Sequence, residues 1–216
     1  MKILITSGGT KIKIDSVRSI TNMSKGTFGS YIAQEFLELK HQVVFLHAKN
    51  SKTPFLLDYN RKLITFVEYE TFEDYEKELI KELEKKPDIV VLAAAVSDYG
   101  VENPVDGKIR SGDDLVIRLK PLPKLISMVK QKCPDCILCG FKLLVNSTDY
   151  DLKKAVEDSI NKNNCDLVVG NDLRDIKNGN HKLIIGKKNS TGIIFKEYCS
   201  ENNNLPLAVV NNCLDV

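Results

Sequence analysis

The chain opens on a strand that runs straight into glycine. Ile3-Leu4-Ile5 is a short apolar run that breaks at Ser7-Gly8-Gly9-Thr10, and sixteen residues after Gly8 a second small-residue turn, Ser24-Lys25-Gly26-Thr27-Phe28-Gly29, begins a helix. Glycine admits close approach of backbone N–H groups to a ligand, and a helix start adds partial positive charge, so each turn is a plausible anion cradle. The connection between them, with Asp15, Arg18, Thr21 and Asn22, is too long for an ordinary strand-to-helix loop. Loops of that length in a compact domain are usually functional.

Downstream, apolar runs of strand length alternate with helical periodicity. Strands are expected at 2–6, 42–46, 63–67, 89–95, 137–141 and 166–170, with helices at 28–39, 72–86, 123–131 and 149–161. Ile89 to Ala95 is continuously apolar, the pattern of a central parallel strand covered on both faces. The rhythm implies an α/β, Rossmann-like, doubly wound and mostly parallel sheet, whose ligands sit beyond the carboxyl ends of its strands. Residues 98–120 carry Gly100, Pro104 and Gly107 before an alternating Leu115, Ile117, Leu119, which suggests a projecting β-hairpin or flap. A second hairpin is expected at 182–185 and 192–195 around Lys187 to Thr191, within a C-terminal hairpin and tail of 181–216, and the Asn-rich last twenty residues show no clear pattern. Without repeats or an obvious linker, 1–216 reads as a single domain.

Composition narrows the function classes. With 31 Lys+Arg against 29 Asp+Glu there is no concentrated basic charge for nucleic acid, and no apolar segment approaches a membrane span. No signal-peptide pattern precedes the first strand, so the expected location is the cytoplasm. Cys133, Cys136 and Cys139 have the C-x2-C-x2-C spacing of an iron–sulfur binder but lack a nearby fourth ligand, and they read better as core and loop thiols. His41, His47 and His181 are isolated, so no protein-side metal site is assigned.

The order of these pieces resembles one family. Gly8-Gly9-Thr10, then Ile14-Asp15-x-Val17-Arg18-x-Ile20-Thr21-Asn22, then Ser24-x-Gly26-x-x-Gly29, is similar to the opening signature of phosphopantothenate-cysteine ligase. The likeness continues through Ala94-Ala95-Val96-x-Asp98-Tyr99, Lys108-Ile109-Arg110 ten residues after Asp98, Leu122-Pro123-Lys124-Leu125-Ile126, Gly140-Phe141 and Gly170-Asn171-Asp172. Lys25 stands where the family usually carries Ser or Thr, and only Lys162 is near the register of basic residues that many bacterial members have on the helix before the last of these motifs.

The resemblance implies a ligase that joins 4′-phosphopantothenate to cysteine in coenzyme A synthesis through an acyl-nucleotide, with CTP favoured over ATP and Mg²⁺ accompanying the triphosphate. It assigns catalysis to Asn22 and Lys108. Gly8, Gly9, Ser24, Gly26, Ala94, Ala95, Asp98, Lys108, Pro123, Lys124, Leu125, Ile126, Phe141 and Lys162 would bind the nucleotide, and Arg18, Asn22 and Ala93 the acid. It also implies a homodimer whose flap reaches the partner's site. Since the chain begins at this signature, a stand-alone form without FMN is the expectation. Neither chemical step needs a protein nucleophile, so positioning and charge stabilisation would carry it.

Taken singly these residues are bland. Asn22 and Asp15 are ordinary turn residues, Lys108 a solvated hairpin lysine, and Phe141 a core side chain. The joint order carries the functional reading. Two rivals stand beside it. Tyr150 and Lys154 have the Y-x-x-x-K spacing of short-chain nicotinamide-dependent oxidoreductases, although the compact dinucleotide fingerprint is missing. A non-catalytic nucleotide-binding subunit of the same fold is the other.

Overall fold

The computed structural model describes residues 1–112 and 114–216. In chain order its elements are β1 (Lys2–Ser7), β2 (Lys11–Lys13), β3 (Ser19–Thr21), α1 (Thr27–Glu38), β4 (Gln42–Ala48), a 3-10 turn (Arg61–Leu63), β5 (Ile64–Tyr69), α2 (Phe72–Leu83), β6 (Ile89–Leu92), β7 (Tyr99–Val101), β8 (Leu119–Pro121), α3 (Ile126–Lys132), β9 (Ile137–Leu144), α4 (Asp149–Asn163), β10 (Leu167–Asp172), α5 (Leu173–Lys177), β11 (Lys182–Asn189), β12 (Gly192–Cys199) and α6 (Leu205–Leu214). Eight strands form one sheet in the order β12-β11-β10-β9-β6-β1-β4-β5. The six from β10 to β5 pair in parallel, and the β11–β12 hairpin adds antiparallel to the β10 edge. From β1 the chain winds outward one way to β4 and β5 and the other way to β6 and β9, so the order reverses at the β1–β6 seam. Ligand crevices of doubly wound sheets open there.

Two apolar layers follow from strand alternation. Ile3, Ile5, Val91 and Val169 face α1 and α6 together with Phe36, Leu37 and Val209, while Leu4, Val90, Leu138 and Val168 face the α2, α3 and α4 side with Leu79, Leu83, Val129 and Val156. Two of the longer helices start where side chains satisfy orphan N–H groups. Thr71 with Asp74, and Thr148 with Asp151, form reciprocal capping boxes.

The long loop is a β2–β3 hairpin. Two expectations need correction. Leu115 and Ile117 lie outside any strand: β8 covers only Leu119–Pro121, which pairs with β7. The third helix begins at Ile126, since Leu122 N donates to Asp98 O at 2.9 Å and Pro121 and Pro123 hold their predecessors extended. The tail holds α6, capped by the Asn204 side chain, which accepts from Leu207 N, with Pro206 in the first turn. Among the described residues all six cysteines are free, and five of them are buried.

Candidate active site at the carboxyl edge

The two glycine turns are in contact. A Cβ built on Gly26 would lie 2.8 Å from Ser7 Oγ and 3.2 Å from Gly8 N, and one on Gly8 would lie 2.5 Å from Ala48 Cβ. Both glycines have positive φ, at 90° and 73°, which side chains with a Cβ rarely adopt. Ser7, fully buried, locks the contact by donating its hydroxyl to Gly26 O at 3.0 Å. Gly26 occupies the N-cap of α1 without any side-chain cap, so the first N–H groups of that helix are directed at the crevice with no partner from a capping residue.

Asn22 sits where this cradle meets the end of β6. Its Nδ2 donates to Ala95 O at 2.8 Å, Ala95 N donates to Gly8 O at 2.7 Å, and Thr10 Oγ1 accepts from Ser97 N at 2.9 Å. Gly9 is required there, because a Cβ would come within 2.8 Å of Asn22 O. Gly8, Gly9, Asn22, Gly26 and the Ala93–Ala95 segment therefore converge.

The loop between the turns holds the flap. Asp15, 3% exposed, accepts from Val17 N, Arg18 N, Arg18 Nη1 and Ile109 N at 2.6–3.1 Å. Burial alone would raise this carboxyl, but the backbone donors of Val17, Ile109 and Arg18 and the guanidinium outweigh it and hold it at about 2. Ser16 exchanges hydrogen bonds with Gly107, and Val105 N donates to Ile14 O. Arg18, expected to bind substrate, spends Nη1 on Asp15 and Ile109 O. Lys108 lies between these anchored flap residues, at the hairpin tip. Asn22 lies at the hairpin root, four residues beyond Arg18.

The expected nucleotide residues fall on both sides of the sheet. Ala93 and Phe141 face α1, where the Phe28 ring meets Phe141 edge-on at 6.1 Å. Ala94, Leu125 and Ile126 face α3, and there Lys124 pairs with Asp98 beside Pro123. Ser24 hydroxyl lies 3.4 Å from Gly26 N. Lys162 is not at this edge. It occupies the last turn of α4, which ends where Asp166 bonds Leu138 at the amino ends of β10 and β9, a helix length of about 22 Å from the crevice.

Sequence reasoning missed a cavity of about 580 Å³ on the α1 face, lined by Thr27, Phe28, Tyr31, Gln34, Asn171 and His181 among others. Burial lowers the His181 imidazole against the opposing pull of Asp175, leaving a neutral ring 5.3 Å from Phe28. Its residues come from α1, the β10 end and the tail, and only the fold assembles them. Asp172, at the end of β10, is held at about 2, first by Ser147 N, against burial, with further donors from Ser147 Oγ, Arg174 N and Asn146 N. It clamps the loop after β9. Tyr150 is 74% exposed on the first turn of α4 and Lys154 is exposed one turn on, so their spacing is a solvent face, not an oxidoreductase pair.

A doubly wound sheet with two abutting glycine turns over an uncapped helix start defines a Rossmann-like α/β protein. Residues 1–207 match the DNA/pantothenate metabolism flavoprotein C-terminal domain, and the chain belongs to that family. It is 37% identical over 185 residues to the coenzyme A biosynthesis bifunctional protein CoaBC of Thermococcus kodakarensis, covering 85% of this chain and 44% of that protein. It is also 27% identical over 238 residues to phosphopantothenate–cysteine ligase CAB2 of Saccharomyces cerevisiae, covering 80% of this chain and 65% of that one. The crystal structure of the DNA/pantothenate metabolism flavoprotein from Streptococcus pneumoniae superposes with a TM-score of 0.86 at 30% identity over 100% of this chain and 99% of that chain. The chain spans less than half the length of the bifunctional relatives it matches. Among the described residues no helix is long and apolar enough to cross a membrane.

Proposed function

We propose that this protein joins 4′-phosphopantothenate to cysteine through an acyl-nucleotide intermediate. The observation that carries the reading is the seating of Asn22: its amide bonds Ala95 O at 2.8 Å in the seam between the Gly8-Gly9 turn and the end of β6, next to the start of α1. Phosphates would lie on the N–H groups of the two turns. The pantothenate carboxylate attacks the nucleotide's α-phosphorus, pyrophosphate leaves, and the cysteine amine then displaces the nucleotide from the acyl carbon. Asn22 is a neutral donor beside the acyl oxygen on which charge develops in the second step. Among the described residues no three His, Cys, Asp or Glu side chains gather to hold a metal, so Mg²⁺ would arrive with the triphosphate and no step is routed through it.

Lys108 would act across a dimer. It lies on a flap that exposes Val105, Leu115, Val116 and Leu119 by 46–84%. An apolar face of that extent favours a partner surface, and a second copy of this chain would bring Lys108 to the other subunit's cradle. CTP is the favoured co-substrate, with ATP the second. The test is pyrophosphate release from 4′-phosphopantothenate with each nucleotide, with and without cysteine. Asn22→Asp should release pyrophosphate and accumulate acyl-nucleotide, whereas normal turnover by that variant refutes the role. Absence of release with either nucleotide would leave a non-catalytic binding subunit.

A further inference from the structure

Lys108 is exposed, yet the flap on either side of it is fastened to a distant part of the chain. Val105 N donates to Ile14 O at 2.9 Å. Gly107 O accepts from Ser16 N at 2.9 Å, and Gly107 N donates to Ser16 Oγ at 3.0 Å. Ile109 N donates to Asp15 Oδ2 at 3.1 Å, and Ile109 O accepts from Arg18 Nη1 at 3.2 Å. Both chain neighbours of Lys108 are therefore held by residues of the β2–β3 tip, between Lys13 and Ser19.

The oxygens of Asp15 divide the work. Oδ1 accepts from Val17 N at 2.8 Å and Arg18 N at 2.7 Å, which closes the tip on itself. Oδ2 accepts from Arg18 Nη1 at 2.6 Å and from Ile109 N, which carries the hold across to the flap. The carboxylate is buried, where such bonds are stronger than in water. The root of the same hairpin is tied to the sheet. Lys11 N donates to Glu70 O at 3.0 Å, Thr21 Oγ1 donates to Thr10 O at 3.1 Å, and the next residue, Asn22, bonds Ala95 O. One paired ribbon thus joins the Asn22 seam at its root to the Lys108 flap at its tip.

We infer that Asp15 is a positioning residue for the nucleotide-activation step: through the Ile109 backbone it sets where Lys108 stands, without touching substrate itself. The inference rests on the ligase reading, in which Lys108 acts at a nucleotide cradle. Where no protein nucleophile is needed, placement carries the rate, and a displacement of about 1 Å can cost about a hundredfold. Asp15→Asn separates this role from the folding of the tip. The amide keeps one oxygen for Val17 N and Arg18 N but turns an NH₂ group toward Ile109 N and Arg18 Nη1, donor against donor. Ser16→Ala, at an exposed site, removes only the hydroxyl that accepts from Gly107 N.

Hydrogen exchange over residues 105–110 and pyrophosphate release with CTP and 4′-phosphopantothenate, both on the full chain, test this. Amides of the flap should exchange about three- to tenfold faster in either variant, as one lost hydrogen bond allows. The kcat for release should fall about ten- to hundredfold in Asp15→Asn and about three- to tenfold in Ser16→Ala, while KM for CTP moves by less than about threefold. Because Asp15 works through Lys108, adding Asp15→Asn to Lys108→Ala should slow release by no more than about twofold further. A merely structural loss would multiply with Lys108→Ala instead, and that result overturns the inference. So does an unchanged kcat in Asp15→Asn, or a fall in kcat without faster exchange in the flap. If the unmodified protein releases no pyrophosphate with CTP or ATP, the ligase reading fails and takes the catalytic role of Asp15 with it, while the exchange rates still show whether Asp15 fastens the flap.

Discussion

Gly29 is the position at which the architecture makes a prediction opposite to helix propensity. It lies in the first turn of α1, where Ala is ordinarily better than Gly by about 1 kcal/mol. A Cβ there, however, would come within 2.5 Å of Ser7 Oγ and 2.9 Å of Ser7 Cβ. Rotating the Ser7 hydroxyl could relieve the first contact only by breaking its 3.0 Å bond to Gly26 O, and it leaves the second untouched. Ser7 ends β1 and is fully buried, so α1 must retreat by about half an ångström to restore ordinary contact at 3.4 Å. Overpacking of this kind costs about 1–3 kcal/mol, and a lost buried hydrogen bond adds about 1. Net of the helix gain, Gly29→Ala should destabilise by about 1–3 kcal/mol and lower Tm by about 2–12 °C, at 2–4 °C per kcal/mol for a chain of this size. Because the retreat separates the two glycine turns, the nucleotide KM should rise in the same variant. The assay is thermal and urea unfolding of the single variants Gly29→Ala and Ser7→Gly and of the double variant, with the coupling taken from the cycle. A Gly29→Ala protein as stable as its parent, or a cycle without coupling, would refute the packing argument.

Acid should loosen the flap and the loop after β9 together. Asp15 and Asp172 are each lowered from 3.8 to about 2, so their stabilisation is complete above pH 4 and is lost as pH falls through their folded values; urea unfolding between pH 5 and pH 2 should show the decline, and Asp15→Asn should flatten it. A slope unchanged in Asp15→Asn would contradict the clamp. If the exposed flap face is a subunit interface, Val116→Asp, at a side chain 84% exposed, should shift a dimer toward monomer in sedimentation velocity without lowering Tm below the monomer's own, and an undisturbed dimer would place the interface elsewhere.

The doubly wound sheet was legible because its strands are buried on both faces and read as apolar runs, Ile89 to Leu92 most plainly, and because helices such as α2 keep one apolar stripe, with Tyr75, Leu79 and Leu83 buried. The motif order also marked the glycine turns and Asn22. What the sequence hid was set by tertiary pairing. Lys11–Lys13 and Ser19–Thr21 are three-residue strands with almost no apolar pattern, formed because Asp15 gathers the tip between them. Leu115 and Ile117 alternate as a strand does, yet only Leu119–Pro121 pairs, with β7, while Val105 and Gly107 bond to the backbone of Ile14 and Ser16, ninety residues away in sequence. Lys162 was misplaced for a simpler reason: its distance in sequence from Asn171 is short, but the end of α4 and the end of β10 lie at opposite edges of the sheet.

The same alternation that makes the sheet legible also divides the site. Neighbouring residues Ala93 and Ala94 point to opposite faces, as do Gly140 and Phe141 beside them on β9, so one motif supplies both sides of the carboxyl edge. A ligand placed over the β1–β6 seam is then bounded by the Lys124–Asp98 pair toward α3 and by the Phe28 and Phe141 rings toward α1, with the small side chains of Ala93 to Ala95 as its floor. A Cβ built on Gly29 would stand 3.6 Å from Ala93 Cβ, so the start of α1 lies close above position 93. A larger side chain at position 93 would meet the start of α1 before any ligand arrived. The small side chain at position 93 therefore fits a helix start seated directly above a strand end.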